Sequence, residues 1–197
     1  MKQIEVTVQL MDELEIAIQK LESQGFKKIR ESDIDDIYLT NLNKEMVNDN
    51  IQEFLRHSVL LRNLNLENKE VKKITYKNKE LDNNGDVISE QKINLNCDDL
   101  EKAEKLFNYL GFKRLVEVKY HVIVYEKNGM EFAFQVVENL GTLIEYEHKD
   151  DFSDRTISEI NEAKRKMIND IKGYKINISD EHDIKKAFEL IKKENNI

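Results

Sequence analysis

Proline and tryptophan are absent from these 197 residues, cysteine occurs once and glycine only six times. The lone thiol, Cys97, closes no internal disulfide, which suits a reducing compartment, and just ahead of a helix start it reads as a structural cysteine. Missing proline together with abundant Lys, Asn and Ile is the composition of an AT-rich genome. Long apolar runs are missing too, and the longest, such as Val122 to Tyr125, are far too short to cross a bilayer. A net charge of −8 lacks the cationic footprint that nucleic acid or an anionic membrane requires, so neither is an expected partner. A small anion held by a local basic cluster stays open. Met1-Lys2 runs straight into an alternating strand without a signal peptide, and the expected location is cytoplasmic.

Several chemistries lack their residues. There is no Gly-x-x-x-x-Gly-Lys phosphate loop and no Gly-x-Gly-x-x-Gly. His57, His121, His148 and His182 are scattered without metal-ligand spacing, and no Ser or Cys stands in a nucleophile motif.

What is present is charge, 36% of the residues, against 40% hydrophobic: the profile of a soluble globular domain spanning 1–197. Its most legible stretch is Glu131 to Glu147. Phe132, Phe134 and Val136 alternate with Glu131, Ala133 and Gln135, Asn139-Leu140-Gly141 signals a turn, and Glu145 and Glu147 then share one strand face about 7 Å apart. Two such carboxylates repel unless a cation sits between them, either a lysine or a metal ion.

In chain order, Lys2 to Leu10 alternates as a strand, Leu14, Ile18 and Leu21 have helical spacing before Gly25, and Phe26 to Leu39 is strand material. Asn41 to Asn50 reads as a loop. Strands are expected over Phe54–Leu64, Val71–Lys79 and Val87–Leu95, with Asn83-Asn84-Gly85-Asp86 as a hairpin turn. Lys73, Lys77 and Lys79 share a face with Thr75, and Glu90 shares one with Lys92. Asp98 with Glu101 reads as the cap of a helix ending at Gly111. Strands follow over Phe112 to Tyr125, with Lys119 and His121 facing opposite to Tyr120. Thr156 with Glu159 resembles a capping box for a helix to Gly173, and a last helix covers about Asp183 to Lys193. The barrel strands thus lie mainly in 1–148 and the C-terminal helices in 153–195. The fold class is α+β with a largely antiparallel sheet, long enough to curl into a barrel. Its mixed-charge strand faces suit either a solvated sheet with cross-strand ion pairs or a barrel whose polar faces point inward.

The Glu5 strand, Asp36-Ile37-Tyr38-Leu39, Leu61-Arg62, Thr75-Tyr76-Lys77, Ser89-Glu90 and Leu140-Gly141-Thr142-Leu143-Ile144-Glu145-Tyr146-Glu147 occur in the order and spacing of the CYTH superfamily. The chain resembles these triphosphate tunnel metalloenzymes, among them class IV adenylate cyclases and thiamine triphosphatases. The resemblance implies an eight-stranded antiparallel tunnel with flanking helices that binds a linear triphosphate with Mg²⁺ or Mn²⁺. It places Arg62, Lys77, Lys119 and Lys185 as triphosphate contacts, and Glu5, Glu90, Glu145, Glu147 and Gln135 at the metal.

The motifs are degenerate. The family opens on Glu-x-Glu-x-Lys, whereas this strand offers Gln3-x-Glu5-x-Thr7 or Glu5-x-Thr7-x-Gln9. Gln135 stands for an aspartate, and an arginine near Val122 is gone. A neutral amide oxygen holds a hard divalent ion more weakly than a carboxylate does. The expectation is an adenylate cyclase or triphosphatase of reduced activity, or a non-catalytic triphosphate or polyphosphate binder or scaffold. The C-terminal helices offer a cap over one tunnel mouth or a homodimer surface.

Overall fold

The computed structural model describes residues 2–43, 51–56, 58–67, 69–81, 87–181 and 183–195. Eight strands form one antiparallel sheet: β1 (Glu5–Gln9), β2 (Lys27–Thr40), β3 (Ser58–Leu66), β4 (Lys69–Leu81), β5 (Val87–Asn96), β6 (Lys113–Lys127), β7 (Met130–Val137) and β8 (Gly141–Glu147). Their spatial order is β1-β8-β7-β6-β2-β3-β4-β5. The sheet curls until its two edges meet. Gln3, just before β1, and Glu90 of β5 exchange both backbone N–H···O bonds, at 3.1 and 3.2 Å. Beyond that bridge, the free edge of β1 takes its partners from the C-terminal part of the chain. Met11 donates to the carbonyl of Asn177, while Ser179 and Ile184 donate to those of Gln9 and Thr7, at 2.9, 3.0 and 3.0 Å. Backbone donors and acceptors along a buried edge must be paired. Satisfying β1 in this way brings the chain after Ile184 to the mouth of the curled sheet.

Five helices accompany it: α1 (Leu14–Ser23), α2 (Ile51–Arg56), α3 (Leu100–Tyr109), α4 (Ile157–Gly173) and α5 (Lys186–Asn195). On the convex face, Val6, Val8, Phe132 and Phe134 are buried with Leu21 of α1 and with Met167 and Ile171 of α4. Further round the sheet, Leu39, Val59 and Leu61 are buried with Ala103 of α3. On the concave face, Val118, Tyr120, Val122 and Leu143 pack with Ala187, Leu190 and Ile191 of α5. No helix among the described residues is long and apolar enough to cross a membrane.

The α4 capping box forms as the sequence suggests, with Thr156 and Glu159 each satisfying the other's backbone N–H. The β7–β8 turn has Asn139 at φ +61° and Gly141 at φ +103°, where a Cβ would stand 3.0 Å from the Gln9 amide nitrogen. Two expectations are corrected. The cap of α3 is Asp99, one residue later than Asp98, and its carboxylate accepts from the Lys102 N–H at 3.0 Å. Residues 51–56 are helical rather than the start of a strand at Phe54, and β3 begins at Ser58. Ile51 and Leu55, four apart, both bury their side chains in the cluster beside α5, which a helix allows and an alternating strand does not. The proposed Asn83-Asn84-Gly85-Asp86 turn and most of the Asn41–Asn50 loop lie outside the described residues, as do His57 and His182.

Candidate functional site

The concave face encloses a cavity of about 310 Å³. Eight basic side chains line it: Arg30, Arg62, Lys73, Lys77, Lys79, Lys92, Lys185 and Lys186. Three carboxylates line it with them, Glu5, Glu145 and Glu147. Two more, Asp36 and Glu90, are buried at 0% and 2% exposure in ion pairs with those cations. Strand alternation puts them there. With Leu61 and Ile74 turned to the outer cluster, Arg62, Lys73, Thr75 and Lys77 face inward, and with Ile144 and Tyr146 in the outer core, Glu145 and Glu147 do the same.

At the seam where the sheet closes, Glu5 and Glu147 are register partners on β1 and β8. The Lys92 ammonium stands 3.6 Å from Glu5, 3.5 Å from Glu147 and 2.8 Å from Glu90, and Lys77 is 3.5 Å from Glu90. Burial works against ionisation of Glu5, but Lys77, Lys92, Lys79 and Lys186 outweigh it and hold its pKa at about 2. Glu147 goes the other way, pushed up by burial despite Lys92, with Glu5 and Glu145 adding to the rise. Lys77 is raised, since Glu5 and Glu90 more than offset burial. Lys79 is pushed down to about 8, by burial and then by the neighbouring Lys77. It is a cation in want of an anion.

On the opposite wall, Arg62 donates from Nε and one terminal nitrogen to the two oxygens of Asp36, both at 2.7 Å, and to the Tyr120 hydroxyl at 3.0 Å. Tyr120 in turn donates to Asp36 at 3.1 Å. Between this wall and the seam, Lys186, the first residue of α5, donates to the Gln135 side-chain oxygen of β7, lies 3.6 Å from Glu145 of β8 and sits 4.6 Å from the centroid of the Tyr120 ring.

The structure therefore brings together Arg62, Lys77, Lys185, Glu5, Glu90, Glu145, Glu147 and Gln135 from the residues named by sequence. Lys119 does not join them. It alternates with the inward Tyr120, is half exposed, and pairs with Glu117 at 3.4 Å on the other face. Sequence reasoning passed over Lys79 and Lys92, although each shares a strand face with a residue it did name. It also passed over Asp36 as the partner of Arg62, and over Lys186, whose place depends on the long-range docking of α5 and leaves no local pattern.

Carboxylate oxygens suit Mg²⁺ or Mn²⁺ by chemistry. As arranged, the set does not fit such an ion. Ammonium groups stand between the carboxylates, and among the described residues no three or more His, Cys, Asp or Glu side chains gather closely enough to hold a metal.

No protein-family model matches the chain. It is 26% identical over 191 residues to "Putative adenylate cyclase MJ0240" of Methanocaldococcus jannaschii, covering 95% of this chain and 97% of that protein. Among solved structures it is similar to the PH1819 protein of Pyrococcus horikoshii, with a TM-score of 0.74 and 19% identity over 98% of this chain and 99% of that one. It is also similar to a "putative adenylate cyclase" of Vibrio parahaemolyticus, with a TM-score of 0.63 and 10% identity over 91% and 94% of the two chains. At those identities the structural likenesses establish the curled-sheet fold.

Proposed function

We infer that this chain is a CYTH-superfamily protein of the adenylate-cyclase-like kind, as its similarity to a "putative adenylate cyclase" over 95% of its length supports, and that its tunnel binds the phosphate chain of a small triphosphate, ATP or a shorter one. The observation that carries this reading is the cationic interior: eight basic groups against three lining carboxylates, in a chain of net charge −8. A merely solvated sheet face has no reason to concentrate like charge inside a curl, because two unit charges 4 Å apart cost about 4 kcal/mol near a protein surface. Phosphate oxygens between Lys77, Lys79 and Lys185 relieve that repulsion and accept charge-assisted hydrogen bonds. The expected setting is the cytoplasm.

Cyclisation of ATP, or hydrolysis of a terminal phosphate, belongs to the same reading at a reduced rate. Mg²⁺ or Mn²⁺ supplies charge neutralisation at phosphorus when a site holds it. Here Gln135 is neutral and Glu5 is the only inward carboxylate of β1, so electrostatic support for charge developing in the reaction is thin. Binding without chemistry is the second reading, favoured by the pairing of Glu5, Glu90, Glu145, Glu147 and Asp36 with ammonium or guanidinium groups.

Calorimetric titration with ATP, thiamine triphosphate and inorganic triphosphate, followed by chromatography of the same mixtures incubated with Mn²⁺, tests both. A Lys77→Gln variant is expected to bind about tenfold or more weakly, the worth of one charge-assisted hydrogen bond. Cyclic AMP with pyrophosphate identifies a cyclase and orthophosphate a triphosphatase. Binding without product selects the second reading, and no binding of any of the three overturns the proposal.

A further inference from the structure

We propose that Lys92 is a built-in cation, its ammonium occupying the place among Glu5, Glu90 and Glu147 that a divalent ion would need, so that the tunnel takes up polyphosphate without Mg²⁺ or Mn²⁺. The inference rests on the triphosphate-binding reading above for its ligand, and on independent geometry for the cation. The three carboxylates come from β1, β5 and β8, the strands that converge where the sheet closes on itself. Lys92 reaches all three, at 2.8 to 3.6 Å, from the same strand face as Glu90. Glu90 is 2% exposed, and what offsets the burial of its carboxylate is the pair of ammonium groups at its Oε1, Lys92 at 2.8 Å and Lys77 at 3.5 Å.

Covalent tethering makes the lysine a strong competitor. An ammonium fixed on β5 is present at high effective concentration and loses little freedom in pairing, whereas a divalent ion has to shed water and displace it. Further along β8, Lys186 stands in the same relation to Glu145 and to Gln135 of the neighbouring β7. With these carboxylates neutralised from within, a polyanion meets a cationic wall without needing a metal to screen acidic groups. An ammonium is no Lewis acid, which suits binding better than turnover.

The test uses the full chain in two arms. In the first, calorimetry measures inorganic triphosphate binding in EDTA and in excess Mg²⁺, with agreement expected within about threefold. In the second, Mn²⁺ alone is titrated and followed by its electron paramagnetic resonance signal. Wild type is expected to leave the signal of the free ion unchanged, while Lys92→Met, which removes the ammonium standing between the three carboxylates and lets them close on an ion, is expected to bind Mn²⁺. Triphosphate binding that EDTA abolishes overturns the proposal, and so does Mn²⁺ uptake by the wild type. Wild-type chain is sufficient for these two readings if the variant does not fold. Absence of triphosphate binding in both buffers sinks the triphosphate reading alone, and the Mn²⁺ arm then still decides whether Lys92 fills the metal's place.

Discussion

Two ion networks face each other across the tunnel, built from the same kinds of side chain to different effect. On the β2–β3–β6 wall, the guanidinium of Arg62 meets Asp36 through two 2.7 Å bonds, with Tyr120 bonded to both partners. Donors and acceptors match, and the pair is neutral. At the seam, one ammonium is shared among three carboxylates, and an oxygen of Glu90 is left without a hydrogen bond. A planar fork saturating one carboxylate reads as a structural bolt, while a point charge divided among three reads as a place where a ligand can rearrange partners. The comparison breaks most sharply at Asp36. Asp36→Ala leaves Arg62 and the Tyr120 hydroxyl without their common acceptor, and a loss of ~3–5 kcal/mol in urea unfolding is expected. A loss below about 1 kcal/mol would mean that this wall is as adaptable as the seam.

That contrast also marks what the sequence discloses. Alternation on β7 and β8 is strict enough to place Gln135, Glu145 and Glu147 on one side of their strands, because the opposite face is apolar and a slip of one residue would expose it, while on β4 the period of two alone puts Lys77 and Lys79 on a common face. The capping box of α4 is local chemistry and equally legible. Less of the site is written locally. Lys186 enters because Ile184 and Ser179 satisfy the free edge of β1, a pairing between the two ends of the chain, and no periodicity signals it. Lys119 was named from the resemblance, whereas the strand's own alternation with Tyr120 already turned it away from the tunnel. Residues 51–56 deceived for another reason, since two apolar residues four apart in a short run fit a helix, and only the core beside α5 decides.

Proton linkage sharpens the comparison at the seam, with a smaller effect than Asp36→Ala. Glu5 has its pKa held at about 2, below the model-peptide value of 4.5, so its contribution to stability is present above pH 4.5 and is lost as pH falls toward 2. Lys79 is depressed from 10.5 to about 8, so between those values the unfolded chain binds more protons, and stability rises with pH across that window. An anion beside Lys79 draws its pKa back up, and triphosphate binding near pH 8 should therefore take up protons at this group. Calorimetry in buffers of different ionisation enthalpy reads that uptake as the difference between wild type and Lys79→Met, which cancels protons carried by the ligand. Equal proton counts in the two proteins would place the anion away from Lys79.

The smallest effect belongs to a third network, which lies outside the tunnel and serves as the control. His121 places Nδ1 2.7 Å from Asp33 and Nε2 2.9 Å from Glu31, and Glu31 is shared with Lys28 at 2.7 Å. Both ring nitrogens face acceptors, an arrangement that the doubly protonated imidazolium satisfies with two donated hydrogen bonds. Its pKa is raised, the hydrogen bond to Asp33 leading, burial opposing, and Glu31 adding to the rise. A group raised in the folded state stabilises fully below its unfolded pKa and loses that contribution as pH climbs through the folded one. About a third of the ring is exposed, so water screens the gain. His121→Gln is expected to cost a little stability near pH 5.5 and almost none near pH 8.5, read by paired urea titrations. Triphosphate affinity should be unchanged in this variant at both pH values. A change in affinity would show that the outer face communicates with the tunnel through β6, whose residues alternate between the two, and that the inner networks do not act alone.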